Sequence, residues 1–241
     1  MLYSEVSSGG YNMQQRLVNP NHKRREPDKE QINRILKDRQ CIKLSEGCPQ
    51  GCPYCYEDNK LVVFPIPEIK RNFVEIWDMN FLWQTNILER IKQLGEIKVK
   101  DKIVKYEAVC GFDYRLLTLE IAQLLKKARF IHIRIAWDWY YKDQYKIFDA
   151  IKMFKKAGYK TGKKSQISCF MLVNWRISYE ECLKKLDLLK VWGIMVCDCC
   201  WDGGYDIAVP IYWSRKEIND FRGKCRRHNQ IVNFGIDPEV K

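Results

Sequence analysis

The stretch "SEGCPQGCPYCYED" (residues 45–58) crowds Cys48, Cys52 and Cys55 into eight positions, among glycine, proline and tyrosine. Chance placement of the chain's 11 cysteines among 241 positions gives this spacing only about 0.02 times, so the cluster calls for a cause. Gly47, Gly51, Pro49 and Pro53 suit a tight loop wrapped around something compact. Two causes come to mind, a bound metal and a disulfide framework.

The rest of the chain weighs against disulfides. An odd count of 11 cysteines forbids complete internal pairing. The N-terminal "MLYSEVSSGGYNMQQRL" lacks the apolar core of a secretory signal, and no run of about 18 apolar residues marks a membrane span. These features predict a cytoplasmic protein with no membrane contact, in a compartment where clustered thiols bind metals or do chemistry. A net charge of +12 attracts polyanions, so nucleic acid is a candidate partner. Much of that lysine lies on polar helix faces, "LLKKA" and "CLKKLDLLK" among them, where it needs no partner.

Working outward from the cysteines, short apolar runs recur about every 30 residues. They are "CIKLS" (41–45), "FVEIW" (73–77), "IVKYEAVC" (103–110), "IHIRIAW" (131–137), "ISCFMLV" (167–173) and "GIMVCD" (193–198). Amphipathic stretches fill the gaps: Ile87, Leu88, Ile91 and Leu94 form one face, stopped at Gly95, and Ile147, Phe148, Ile151 and Phe154 another, stopped at Gly158. "SYEE" (178–181) and "SRKE" (214–217) read as capping boxes that open helices. Six strands alternating with helices predict an α/β fold, a partial (β/α)6 TIM-like barrel, with a doubly wound sheet as the alternative. The barrel spans residues 40–200, between an N-terminal extension (1–39, with a short helix in "KEQINRILKDR") and a C-terminal extension (201–241) that caps it. Within that extension "NQIVNFGIDPEV" reads as a short strand and a tail. Sites in such folds lie at the carboxyl ends of the strands, where the cysteines fall.

The C-x3-C-x2-C spacing differs from the paired C-x2-C units of zinc ribbons, and thiolates on such a loop commonly hold an iron–sulfur cluster. With Tyr54 directly before the last cysteine, the motif resembles the signature of the radical S-adenosylmethionine (radical SAM) superfamily. The resemblance implies a [4Fe-4S] cluster on Cys48, Cys52 and Cys55, and S-adenosyl-L-methionine bound beside it. It further implies reductive cleavage to a 5′-deoxyadenosyl radical that abstracts hydrogen from a substrate. A reductant protein such as flavodoxin or ferredoxin would be the electron source.

Other positions follow from strand exits. Asp78 and Asn80 in "DMNF" are candidate acceptors for the methionyl ammonium, although Asp78 also fits a helix cap. The family's Gly-Gly-Glu motif is absent there. Arg115 in "GFDYRLL" suits a carboxylate, or else an ion pair with Asp113. Asp138 in "RIAWDW" suits ribose hydroxyls, and Arg134 on the same side needs Asp138 or Glu107 as partner. Tyr54 joins these as a cofactor-binding residue. Cys199 and Cys200 in "CDCCWDGG" are candidate hydrogen donors, while Cys197, Cys225 and His228 admit a second metal or simple packing. A rival of another class is a non-catalytic, metal-stabilised nucleic-acid-binding protein, which requires a closed site completed by Cys41 or His228.

Overall fold

A computed structural model describes residue 26, residues 31–202 and residues 212–235. The expectations for the irregular N-terminus (residues 1–25) and the tail (236–241) lie outside the described residues.

Residues 31–39 hold no helix. β1 (Asn33–Ile35) pairs antiparallel with β2 (Gln40–Ile42), Arg34 opposite Cys41. The i, i+3, i+4 spacing of Ile32, Ile35 and Leu36 imitates a helix, but pairing with β2 outweighs that local preference. β2 continues parallel to β5 (Phe73–Ile76), and β5 to β8 (Lys105–Ala108). Between them fall two small clasps, β3 (Ser45–Glu46) with β4 (Val62–Val63), and β6 (Lys98–Val99) with β7 (Lys102–Ile103). A second sheet holds β9 (Ile133–Ala136), β10 (Ile167–Val173) and β11 (Met195–Cys200), all parallel.

The expected barrel is therefore not what forms. Among the described residues the strands fall into separate sheets of four and three, with the two clasps apart and no closed barrel, and the strand order never reverses as in a doubly wound sheet. Between β8 and β9 only two isolated parallel bridges appear, Tyr106 with Phe130 and Phe112 with Ile135. The backbone explains the break. Gly111 (φ +84°) turns the chain just after β8, and its absent Cβ would lie 2.9 Å from the Phe170 ring. On the facing segment Arg129 (φ +64°) and His132 (φ +50°) are left-handed. Neither side stays extended long enough for a ladder to propagate.

Helices follow the sheets: α1 (Ile87–Glu96), α2 (Leu119–Lys127), α3 (Gln144–Lys156), α4 (Tyr179–Trp192) and α5 (Arg215–Phe234). α1 runs through Gly95 rather than ending at it. Ser178 accepts from the Glu181 amide, and Ser214 forms a full capping box with Glu217. The segment read as a terminal strand is the last turns of α5. Its buried residues Phe221, Cys225, His228 and Val232 keep helical spacing.

One apolar core joins the sheets. Phe81, Phe112, Phe130 and Phe154 run through it with ring centroids 5.4–6.4 Å apart. At the β11 edge of the second sheet, against which α5 packs, the Asn229 amide of α5 both donates to and accepts from the Val196 backbone, each bond 2.8 Å. Among the described residues no helix is long and apolar enough to cross a membrane.

Candidate functional site

The three cysteines lie on a loop between β3 and β4, so the clasp fixes where the loop leaves and returns. Inside the clasp the Cys48 amide donates to the Asp58 carbonyl (2.8 Å) and the Cys55 amide to the Cys52 carbonyl (3.0 Å). Gly47 sits at φ +78°, and a Cβ there would lie 1.8 Å from the Lys60 carbonyl oxygen, so only glycine lets the two loop arms approach. Beneath the loop Lys43 and Glu46 form a buried ion pair.

None of the three cysteines is in a disulfide, and all are partly exposed. Burial raises the Cys52 thiol above its ordinary value, while the Tyr54 hydroxyl and the Arg115 charge pull it down and a negative Cys48 pushes it up. Burial also takes Cys55 up to about 11, with Cys52 and Cys48 adding to the rise. The thiols are thus close enough for each charge to oppose the next. A cation is what would stabilise three thiolates there. Among the described residues no three His, Cys, Asp or Glu side chains are drawn together as a metal-holding group. The donor chemistry, three soft thiols on one glycine-flanked loop, suits an iron–sulfur cluster.

Tyr54 ties the loop to the strand ends. Its hydroxyl donates to Asp138 Oδ2 (3.0 Å), just past β9, and its carbonyl accepts from the Trp201 indole (3.0 Å), just past β11. Its ring lies 5.4 Å from Trp139 and 5.9 Å from Trp175, and Trp175 lies 4.4 Å from Trp201. Burial raises the pKa of Asp138, and the Tyr54 bond holds it partly down. Two residues that sequence reading did not single out as determinants secure this wall. Asn174, left-handed at φ +57°, donates to the Trp201 carbonyl and accepts from the Tyr212 and Trp213 amides. Lys185 of α4, wholly buried, donates to the carbonyls of Trp137 and Trp139 on either side of Asp138. Its signal was visible: a lysine three residues from Cys182 and four from Leu189, on the helix's apolar face.

Asp78 is committed to structure. It accepts from the Leu44 amide (2.7 Å), the Ser45 hydroxyl (2.7 Å) and the Gln84 amide (2.8 Å). Burial nonetheless lifts it to about 6. Asn80 donates to Asp113 (3.2 Å), which also takes two guanidinium bonds from Arg115 (2.7 and 2.8 Å). Asn80 Oδ1 and Gln84 Oε1 remain buried without a hydrogen-bond partner among the described residues. Two acceptors are left facing inward.

The further cysteines divide. Cys199 lies near Asp138, Cys197 and Cys110, and burial raises its thiol strongly. Cys110 rises to about 11, also by burial. Cys200 is half-buried at the end of β11. Cys225 and His228 pack inside α5, where His228 Nε2 meets the Ile194 carbonyl at 2.7 Å. Arg134 pairs with Glu107 rather than Asp138. Cys41 meets Glu75 at 3.5 Å on β2. Cys41 on β2 and His228 beside the start of β11 therefore both sit away from the cysteine loop.

No family model matches the chain. A protein of Acidianus two-tailed virus, described as "Uncharacterized protein ORF301", is 31% identical over 100 residues, which are 42% of this chain. The match covers 33% of that viral protein, so the chain spans about a third of the length of the curated relative it matches.

Proposed function

We propose that the chain is a radical SAM enzyme. The observation that carries this reading is the C-x3-C-x2-C triad held on one clasped loop beside the strand exits, with the alternative fourth ligands Cys41 and His228 engaged elsewhere. In this reading Cys48, Cys52 and Cys55 hold a [4Fe-4S] cluster. When bound, the cluster supplies the electron that cleaves S-adenosylmethionine reductively and yields a 5′-deoxyadenosyl radical for hydrogen abstraction.

The chain's own residues bind and orient. Asn80 Oδ1, buried and unsatisfied among the described residues, would accept from the cofactor's ammonium. Arg115 keeps its Asp113 pair and turns its outer edge toward a carboxylate, since its side chain is 37% exposed. Tyr54 and Asp138 brace the loop and border the ribose side. Cys199 and Cys200 stand as hydrogen donors toward substrate. The electron comes from a flavodoxin- or ferredoxin-like protein in a thiol-reducing cytoplasm.

The test is anaerobic reconstitution with iron and sulfide. The wild type should take up about four irons, change its electron paramagnetic resonance signal on adding S-adenosylmethionine, and release 5′-deoxyadenosine. The Cys48→Ala, Cys52→Ala, Cys55→Ala variant should do none of these. Tightly held zinc with no iron uptake overturns the reading.

A further inference from the structure

We infer that the pole of the molecule where the strands begin carries a docking face for the phosphate backbone of nucleic acid. It is built from the carboxyl ends of α2 and α3 and the loop over residues 157–166. This face goes beyond the proposed enzyme activity and stands with or without a cluster.

From Ala150 to Tyr179 the chain has no Asp or Glu, but six lysines and Arg176. The fold gathers part of this stretch in one place. Lys126 of α2 lies 4.3 Å from the Tyr159 ring centroid and donates to Gln166, both on the loop. The Gly162 amide donates to the Gly193 carbonyl at the end of α4 (2.7 Å), and the Lys164 amide to the Asn233 carbonyl near the end of α5 (3.2 Å). Lys127, Lys155, Lys156, Lys160, Lys163 and Lys164 are all exposed. None of the six has a carboxylate within ion-pair reach among the described residues, whereas Lys146 and Lys152, earlier in α3, are paired to Asp143 and Asp149.

Helix dipoles account for part of this charge. Lys126, Lys127, Lys155 and Lys156 occupy last turns, where cations are favoured. Lys160, Lys163 and Lys164 lie on the loop and have no such role. Crowding is felt within the group: after burial, the charge of Lys160 is what lowers the Lys126 pKa.

The partner's chemistry follows from the groups the face presents. Tyr159 and Phe154 are buried, and the Tyr159 hydroxyl is bound to the Phe130 carbonyl, so neither ring can stack on a base, and Phe234, next to Asn233, is the exposed ring beside the loop. The ammonium groups outnumber it, and flexible ammonium groups suit phosphates as point charges, in duplex as well as in single strands. A membrane surface would require a broad apolar stripe beside the lysines, and the exposed side chains of the loop are lysines instead. β10 runs from this loop to the Trp175 wall over seven residues, which places the face about 20 Å from the cysteine loop. Nucleic acid held there is anchored away from the candidate site.

The experiment titrates the full chain against a labelled duplex and a labelled single strand of equal phosphate number, over roughly 50 to 200 mM salt. The patch variant is Lys155→Gln, Lys156→Gln, Lys160→Gln, Lys163→Gln, Lys164→Gln. A charge-matched control changes Lys92, Lys142, Lys146, Lys184 and Lys216 to Gln, all exposed elsewhere. A loop-only variant (Lys160, Lys163, Lys164) covers the event that the larger one misfolds. The patch variant should lose about 100-fold in affinity, with the slope of log K against log salt falling by about 4, and the loop variant by about 2 to 3. The control should stay within about threefold, and duplex and single strand should bind alike. Equal losses from patch and control, or tighter binding to phosphatidylserine vesicles or polyglutamate than to nucleic acid, overturn the inference.

Discussion

The hydroxyl of Tyr54 donates to Asp138 Oδ2 at 3.0 Å, joining the cysteine loop to a strand exit 84 residues further on. Burial raises the pKa of Asp138, and this bond does most to hold its carboxylate down, ahead of the Lys185 and Arg115 charges. Tyr54→Phe removes the donor and keeps the ring contacts. Urea unfolding should show a loss of about 1–3 kcal/mol. A loss no greater than that of an exposed tyrosine such as Tyr145→Phe would show that the bond carries nothing.

Asp78 titrates at about 6 in the folded chain, against the ordinary 3.8, because burial disfavours its charge. Between those values the folded state holds a proton that the unfolded state has lost. Stability therefore falls as pH rises from about 4 to 6, and the charged form costs about 3 kcal/mol above that window. Asp78→Asn should flatten this part of the pH profile. Gln84, whose Oε1 has no partner among the described residues, can turn its amide to accept from the new NH2. Denaturant midpoints at several pH values across the window read the effect directly.

Much of this arrangement is legible in the chain. The six apolar runs all contain strand, and Ser178 and Ser214 open helices where their spacing to Glu181 and Glu217 implies. The failures share a cause: they depend on partners distant in sequence. β1 is extended because β2 lies beside it, not because of its own residues. α5 looked like a strand at its end because "QIVNF" is β-branched and short, while the face that continues through Cys225 and His228 is partly polar. The division into two sheets turns on left-handed Arg129 and His132, of which arginine gives no warning of that conformation and histidine only a weak one. At the site the cysteines and Tyr54 stand out by spacing and Lys185 by its place on the apolar face of α4, whereas Asn174 and Gln84 act by hydrogen bonds that no spacing encodes.

Asn174 holds three bonds and a left-handed backbone at once. Asn174→Gly loses the bonds, and Asn174→Ala loses them and adds strain. The alanine variant should be the less stable by about 1 kcal/mol, both falling well below the wild type in thermal melts. Equal stability of the two would mean that the backbone conformation relaxes.

Eleven cysteines allow a labelling experiment to sort site from core. Cys169, Cys182 and Cys225 are at most 2% exposed, and burial lifts the Cys182 thiol to about 12. Iodoacetamide on the metal-free native protein should modify Cys48, Cys52 and Cys55 first and leave those three unmodified until unfolding. Mass spectrometry of the digest decides it. Early labelling of Cys169 would contradict the packing described.

The Asn229 amide against Val196 has a consequence for how the molecule meets its own copies. By taking both backbone groups of Val196 near the start of β11, one side chain does the work of a neighbouring strand. An incoming chain finds no continuous template there, since its ladder would stop at that rung. At that rung the edge of the second sheet is occupied by a side chain of its own molecule, so a strand from another copy could pair there only by displacing Asn229.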